Sequence, residues 1–336
     1  MGKATQGRSC PGFVDLQVNG FLGVDFSGPE LTAADFRMAC REVLSRGTAA
    51  FLPTIVTSPV EVLCRNLELV AETAGEAEFQ GRLLGIHLEG PFISREPGGV
   101  GAHNAEWVLE PSIETFDDLQ AAARGQIRML TIAADATGAE ALARHAGGQG
   151  VCVSLGHHLA TGADLQRLAG AGATALTHLG NGVPAMLPRH PNPIWAALAN
   201  DDLTATIIAD GQHLPASVIK SFLRAKGIER IVVISDGAAV AGLPAGTYEN
   251  TALGKSIVLE ESGKLHNPEK GCLAGSSATM LGCMNHLASL GLLGFEQLRT
   301  VGFANPLKLI GLSRGDIDTA DILQFDALTC RFELIH

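Results

Sequence analysis

Polar side chains that can bind a metal or transfer protons follow six short apolar runs of the sequence. In chain order they are Gln17 and Asn19, His87 and Glu89, His157 and His158, His178, Asp210 and His213, and Asp236. The chain has only 11 histidines in 336 residues, so composition alone does not explain why they recur at the ends of apolar runs. Imidazoles and carboxylates gathered in this way favour metal-assisted hydrolysis.

Glu89, His157 and His178 are the best candidate ligands for one divalent metal, with zinc as the expected ion. Two neutral imidazoles and one carboxylate leave a coordination position for water, as in catalytic zinc sites. A metal held this way lowers the pKa of its water toward about 7. The alternative is that each histidine is only a hydrogen-bonded residue at a strand end. This explanation is reasonable for a single histidine but does not explain the three residues together. His158 would point away from His157, so we assign it to the surroundings of the site or to the surface.

Asp236 is the candidate general base and acid, because a carboxylate beside the reacting water can accept its proton and return it to a leaving amine. The alternative role for Asp236 is a helix N-cap. His103 lies after the Gly-rich stretch 96–101. It can polarise a substrate carbonyl or bind a sugar hydroxyl, and the alternative is a surface histidine. Arg189 and His213 are candidate anion contacts, although either alone would be interpreted as a solvated charge. The stretch 275–277 can offer backbone N–H groups before a helix.

Eight apolar runs are predicted to be the strands that carry these residues. They are 12–18, 49–56, 83–88, 128–133, 151–155, 173–177, 203–209 and 231–235. Segments with helical periodicity alternate with them, at 32–46, 59–74, 112–124, 138–146, 162–170 and 215–226. Short strands in alternation with helices predict a (β/α)₈ barrel, whose catalytic groups lie at the carboxyl ends of the strands. An open, doubly wound sheet is the alternative.

The pattern changes after the eighth run. Residues 242–271 are rich in Gly, Asn and charge around one apolar run at 255–259, which predicts an inserted hairpin. Helical stretches at 276–293 and 295–312 follow, and then a strand-like tail at 321–334.

Composition excludes several classes of partner. The net charge is −11 and no cluster of Lys or Arg stands out, so neither nucleic acid nor a membrane is expected to be a partner. The seven cysteines are scattered without a C-x-x-C pair, which suits free thiols in a reducing compartment. The first ten residues lack an apolar signal core and no apolar run is long enough to cross a bilayer, so a cytoplasmic location is expected.

Nine stretches, taken in chain order, resemble those of N-acetylglucosamine-6-phosphate deacetylases in the amidohydrolase superfamily. They are PGFVDLQVNG (11–20), LPTIVTS (52–58), GIHLEGPFI (85–93), GAHN (101–104), SLGHHLAT (154–161), THLGN (177–181), IIADGQH (207–213), ISDGAA (234–239) and LAGSSATM (273–280). The resemblance spans nearly the whole chain. It implies hydrolysis of the acetamide of an N-acetylated amino sugar phosphate, foremost N-acetylglucosamine 6-phosphate to glucosamine 6-phosphate and acetate.

The resemblance also implies residue roles. Glu89, His157 and His178 would bind one metal, usually zinc, and Asp236 would be the catalytic acid and base. Gln17 and Asn19 match the family's Gln-x-Asn variant, which suggests a one-metal site. The implied pocket is formed by Ala102, His103, Asn181, Gly182, Arg189, His213, Leu273, Ala274 and Gly275. Arg189 and His213 would bind the phosphate, and in similar enzymes a neighbouring subunit completes the pocket, so a homodimer or higher homo-oligomer is expected.

The chain departs from the family pattern at two places. Only ten residues precede Pro11, so the small β-sandwich of the family is expected to be reduced or absent. We therefore interpret 11–312 as the barrel and 313–336 as a C-terminal strand remnant of the small domain. Gly180 and Gly182 replace the usual tyrosine and alanine, and the Pro-rich run near Arg189 differs, which leaves the sugar open. The competing functions are hydrolysis of another N-acyl sugar or amide, and binding of an amino sugar phosphate without catalysis.

Overall fold

Eight parallel strands form a nearly closed barrel in the computed structural model, which describes residues 8–252, 254–317 and 320–335. We label them β1 to β8: Phe13–Val18, Thr48–Val56, Ile86–Glu89, Ile127–Ile132, Cys152–Leu155, Ala173–Leu176, Thr204–Ile208 and Ile231–Ile234. Each pairs with the next in sequence order, and a parallel bridge between Val18 and Gly237 joins the end of β8 to β1. The predicted (β/α)₈ barrel is confirmed, and the alternative of an open, doubly wound sheet is wrong.

A helix follows each barrel strand. They are Ala33–Ser45, Val60–Ala74, Ile113–Ala122, Ala139–Gly148, Gly162–Gly170, Pro193–Ala199, Ala216–Lys226 and Met280–Ser289. The helix Pro193–Ala199 was not predicted, since its seven residues are too few to show helical periodicity. Its start depends on Asn192, whose side chain accepts hydrogen bonds from the backbone N–H groups of Ile194 and Trp195. None of the helices in the described chain is both long and apolar enough to cross a membrane.

Two layers of core hold the barrel together. The inner layer fills its interior with aliphatic side chains such as Val14, Leu52 and Val232, and reaches Phe303 and Leu307. Those last two belong to the segment made of Phe295–Arg299, a π-helical turn Thr300–Ala304 and Asn305–Leu309, which packs against β1 and β8. The outer layer packs the strands against the surrounding helices. Polar groups therefore collect at the carboxyl ends of the strands.

Three smaller sheets accompany the barrel in the described chain, and the smallest is the two-stranded ribbon of Gly20–Phe21 and Val24–Asp25. The strands Arg8–Pro11, Asp321–Asp326 and Arg331–Leu334 form an antiparallel sheet, in which Arg8 pairs with Phe325. Phe332 of this sheet packs edge-on against Phe13 of β1, with ring centroids 5.0 Å apart. The sequence-based division at residue 312 stays an interpretation.

The insertion after β8 is a four-stranded antiparallel sheet, where a hairpin was expected. Its strands are Gly246–Thr251, Gly254–Leu259, Leu265–Asn267 and Cys272–Leu273, so it continues beyond residue 271. Two further chain reversals account for the difference, since the Gly263 N–H donates to the Glu260 carbonyl and the Gly271 N–H donates to the Asn267 carbonyl. Apolar residues of this sheet pack on Val56 and Ala102 at the barrel mouth.

Candidate active site

The carboxyl ends of three strands bring Glu89, His157 and His178 together. Glu89 is the last residue of β3, and the two histidines stand two positions beyond the ends of β5 and β6. The distance from Glu89 Oε1 is 3.1 Å to His178 Nε2 and 3.4 Å to His157 Nε2. The two Nε2 atoms lie 3.0 Å apart. All three side chains are buried, and their ligand atoms lie within 4.8 Å of one another.

Backbone strain is concentrated at the same place. In the described part of the chain six residues other than glycine have positive φ, and three of them are His157, His178 and Asp236. Such a conformation costs about 1–3 kcal/mol and persists where the surroundings enforce it. The sharp turn after each strand aims these side chains across the barrel mouth.

The electrostatics of the cluster favour a cation. Burial alone would raise the pKa of Glu89, but hydrogen bonds with His157 and His178 outweigh it and hold that pKa well below its usual range. Burial would likewise lower the pKa of His178, but the hydrogen bond to Glu89 raises it. A buried carboxylate facing two imidazoles therefore requires positive charge beside it.

The donor set fits a divalent metal. His157 Nδ1 lies 2.9 Å from the Gly99 carbonyl oxygen. A carbonyl only accepts, so Nδ1 carries the hydrogen and Nε2 keeps its lone pair for a ligand bond. Two imidazole nitrogens and one carboxylate are the ligands that zinc takes in catalytic sites.

Asp236 stands two residues beyond β8, with its Oδ1 held by two amide groups. Gln17 Nε2 donates to it at 3.0 Å and Asn19 Nδ2 at 2.8 Å. Gln17 Nε2 also donates to Glu89 Oε1 at 3.0 Å, so this one amide bridges the two carboxylates. Burial, reinforced by the charge of Glu89, raises the pKa of Asp236. Asp236 caps no helix, because Gly237 after it bridges to Ser276 in extended backbone.

His103 reaches the cluster from the loop between β3 and the helix Ile113–Ala122. It is 2% exposed, so it is not a surface residue. Its Nε2 lies 3.3 Å from His157 Nε2 and 3.8 Å from Glu89 Oε2. Burial, reinforced by His157, lowers the pKa of His103 to about 3 and keeps the ring neutral. His158 is buried too, but its Nδ1 accepts the Ala160 N–H at 3.1 Å and it does not join the cluster.

A cavity of about 930 Å³ opens above these groups. Of the residues expected around a substrate, seven line it: Ala102, His103, Asn181, Gly182, His213, Leu273 and Gly275. Ala274 is fully buried in the core behind this wall. His213 is oriented by Asp210, whose Oδ2 lies 2.8 Å from His213 Nδ1. The remaining ring nitrogen, Nε2, is therefore the one left for a ligand.

Gly182 shows how closely the wall approaches the cluster. A Cβ atom at this position would lie 3.1 Å from His157 Nδ1 and 3.2 Å from His178 Cε1. Its φ is +62°, in the left-handed region that glycine adopts without strain. Glycine at this position therefore leaves both histidine rings their space.

Arg189 does not line the cavity within one chain. It is exposed, and its carbonyl accepts the Trp195 indole N–H at 3.1 Å. The structure therefore does not bring Arg189 together with the other expected pocket residues. Its contact with a ligand stays a prediction that requires a neighbouring subunit.

Sequence analysis missed two cations on the cavity wall, Arg95 and Lys270. Lys270 Nζ donates to the carbonyl oxygens of Ala102 at 2.9 Å and His103 at 2.5 Å. Neither residue stands directly at the end of a barrel strand, so a search for polar residues at strand ends could not identify them. His87 was located by its place in a strand, but it is fully buried in the barrel and its Nε2 lies 2.8 Å from Thr131 Oγ1.

Comparisons with known proteins identify similar chains. The N-acetylglucosamine-6-phosphate deacetylase of Bos taurus is 34% identical over 330 residues, which cover 93% of this chain and 78% of the relative. The N-acetylgalactosamine-6-phosphate deacetylase of Escherichia coli O157:H7 is 30% identical over 305 residues, covering 90% and 78%. A mutant N-acetyl-D-glucosamine-6-phosphate deacetylase from Mycobacterium smegmatis, solved in complex with N-acetyl-D-glucosamine-6-phosphate, matches at TM-score 0.86 and 25% identity, covering 97% of this chain and 84% of its own. No protein-family model matches the chain.

Proposed function

Because the chain belongs to the N-acetylglucosamine-6-phosphate deacetylase family, we propose that it hydrolyses the acetamide of an N-acetylated amino sugar phosphate. The products are acetate and the free amino sugar phosphate, foremost glucosamine 6-phosphate. The observation that carries this proposal is the convergence of Glu89, His157 and His178 next to Asp236 beneath one cavity. A protein that only binds sugar phosphates has no need of an acid–base group beside a metal site.

Glu89, His157 and His178 would hold one divalent ion, which we propose is zinc. Such an ion, when bound, polarises a carbonyl oxygen and lowers the pKa of a water molecule. Asp236 accepts the proton of the attacking water and then delivers it to the leaving nitrogen. Gln17 and Asn19 engage Oδ1 of Asp236, so its other oxygen is the one left to carry that proton. His103, as a neutral imidazole, donates one N–H to the carbonyl oxygen as negative charge develops.

The phosphate would bind at the far side of the cavity. His213 offers Nε2 there, since Asp210 engages its Nδ1. We place Arg189 of a neighbouring subunit beside it, because Arg189 is exposed and a guanidinium pairs bidentately with phosphate. This assignment implies a homodimer or a higher homo-oligomer. The seven free cysteines support a reducing compartment, which we propose is the cytoplasm.

Acetate release from a panel of N-acetylated sugars tests the proposal. The panel pairs the gluco and galacto epimers, each with and without a 6-phosphate, because relatives of both specificities resemble this chain. Acetate from one phosphorylated epimer supports the proposal and identifies the sugar. Hydrolysis of only unphosphorylated amides would instead favour a different amidohydrolase. Tight binding of the phosphorylated sugars without hydrolysis would favour a binding protein.

We expect one tightly bound metal per chain. The amide nitrogen of Gln17 lies 3.0 Å from both Glu89 Oε1 and Asp236 Oδ1, and only its NH₂ group can donate to two carboxylates. The Gln17 NH₂ group therefore occupies the position between Glu89 and Asp236 where a second metal ion would have to bind. Elemental analysis of protein purified without added metal checks this, and a stoichiometry near two would exclude the one-metal site.

Arg189→Ala is expected to raise KM for a phosphorylated substrate far more than it lowers kcat. A phosphate contact binds the ground state and the transition state alike, so its loss appears mainly in KM. Arg224→Ala, on an exposed position of the helix Ala216–Lys226, is the matched control. An unchanged KM in the Arg189 variant would reject the phosphate role.

A further inference from the structure

Lys270 joins the inserted sheet to the loop that carries His103. Its Nζ donates to two consecutive carbonyl oxygens, Ala102 at 2.9 Å and His103 at 2.5 Å. Along the chain, Lys270 is 168 residues from Ala102 and 167 residues from His103. In the described structure Lys270 Nζ has no other hydrogen-bond partner, so two of its three hydrogens hold this loop.

The loop is held at Gly99, whose carbonyl accepts from His157 Nδ1, and a second anchor is needed nearer His103. It contains Gly98 and Gly101, both with positive φ, and such residues leave the backbone many alternative conformations. Its own backbone hydrogen bonds run from Val100 N–H to Glu96 and from His103 N–H to Val100. Among the hydrogen bonds of the described residues, Lys270 is the one donor to the Ala102 and His103 carbonyls. The His103 carbonyl is therefore fixed from the insert side, while its N–H is held within the loop.

Lys270 is itself held at its base. Its backbone N–H donates to Asn267 Oδ1 at 3.0 Å, and the Gly271 N–H donates to the Asn267 carbonyl at 2.9 Å. Asn267 is 1% exposed, so this turn is fixed to the core of the insert. Leu273 and Gly275 follow a few residues later on the same cavity wall. One short segment therefore both lines the cavity and holds the loop opposite.

We propose that Lys270 is a positioning residue that fixes the 101–104 loop so that His103 faces the reacting carbonyl. This inference rests on the proposed function. Lys270 acts through the backbone of His103, and no contact with reacting atoms is required. A misplacement of about 1 Å at a catalytic group can cost about 10²-fold in rate. Loss of Lys270 therefore lowers kcat and leaves KM nearly unchanged.

The other role open to a cation on this wall is direct contact with the substrate phosphate. That contact would give the opposite kinetic result, a raised KM with kcat retained. The split between kcat and KM therefore decides between the two roles.

The kinetic test uses Lys270→Met, which keeps the chain length and removes the donor, and Lys270→Arg, which restores donors. Lys264→Met is the control, since Lys264 is exposed on the same insert and its side chain has no hydrogen bond to another described residue. We expect kcat to fall at least about tenfold in Lys270→Met, to recover in Lys270→Arg, and to stay unchanged in Lys264→Met. Combined with His103→Ala, the Lys270→Met substitution should cost little more. Additive losses, or a change confined to KM, would overturn the proposal.

A second measurement does not depend on activity. Amide hydrogen exchange across residues 98–107 should be faster in Lys270→Met than in the parent and in Lys264→Met. If the parent releases no acetate but exchange still rises in this loop, the proposed function fails while the anchoring role stands. Unchanged exchange in the loop would overturn the role of Lys270 whatever the substrate proves to be.

Discussion

Replacing Asp236 with asparagine is expected to abolish most turnover while the fold and the bound metal remain. Asparagine can neither accept the proton of the attacking water nor deliver one to the leaving amine. Loss of a general acid–base group typically costs about 10²–10⁴ in rate. The cost here should reach or exceed the upper end, because in the proposed mechanism both proton transfers pass through the same carboxylate.

The surroundings of Asp236 explain why the variant should fold. Oδ1 accepts hydrogen bonds from Gln17 Nε2 and Asn19 Nδ2, and an asparagine can present its single oxygen to both donors. Its NH₂ group then takes the place of the other carboxylate oxygen. Burial and the charge of Glu89 raise the pKa of Asp236, which means that the folded protein disfavours the charged carboxylate. The variant removes this charge, so the free energy of unfolding should not fall.

Melting temperature, bound metal and kcat, measured on one preparation, test this prediction. A variant with parental melting temperature and metal content but without turnover supports the acid–base role. A metal-poor variant would make Asp236 a ligand. Activity within tenfold of the parent would remove Asp236 from the mechanism and leave Asp210 as the next candidate, although Asp210 already orients His213.

The candidate metal ligands and Asp236, which the sequence located, share one property: each stands at or just beyond the end of a barrel strand. Glu89, His178 and Asp236 could be found because buried parallel strands are continuous apolar runs, and the first polar residue after each run lies at the same rim. The strand bounds moved by only a few residues between sequence and structure, since burial of both faces leaves little choice of where a strand ends.

Residues on loops did not follow such a rule. The contact of Lys270 with His103 joins positions 167 residues apart, and no local pattern records it. The insert has four strands where the sequence predicted a hairpin. The additional turns depend on single hydrogen bonds, such as that from the Gly263 N–H to the Glu260 carbonyl, and hydrophobic periodicity does not reveal such bonds. Arg189 is a further case. We propose that it acts on a neighbouring subunit, and the structure of one chain carries no sign of such a target.

Glu89→Gln is expected to leave the chain without tightly bound metal and without measurable deacetylation. Glu89 is the central acceptor of the cluster, within 3.4 Å of His157 and His178, and it accepts the Gln17 amide. Glutamine keeps the shape but removes the negative charge from the only carboxylate among the three candidate ligands, which would attract a dication beside the two imidazoles. With its amide oxygen in the place of Oε1, the variant can still accept the Gln17 amide, so the expected loss of metal comes from the missing charge.

Metal content and thermal stability measured together distinguish a lost ligand from a damaged fold. Ligand that binds only the folded state stabilises it by RT ln(1 + [L]/Kd), so added zinc should raise the melting temperature of the metal-free parent. The Glu89 variant should melt near the metal-free parent and respond weakly to zinc. Glu106→Gln, an exposed acid on the loop that carries His103, should bind metal and respond as the parent does. A Glu89 variant that keeps one metal per chain and parental kcat would remove Glu89 from the metal site. A variant that melts far below the metal-free parent would instead show that the buried carboxylate holds the barrel mouth together.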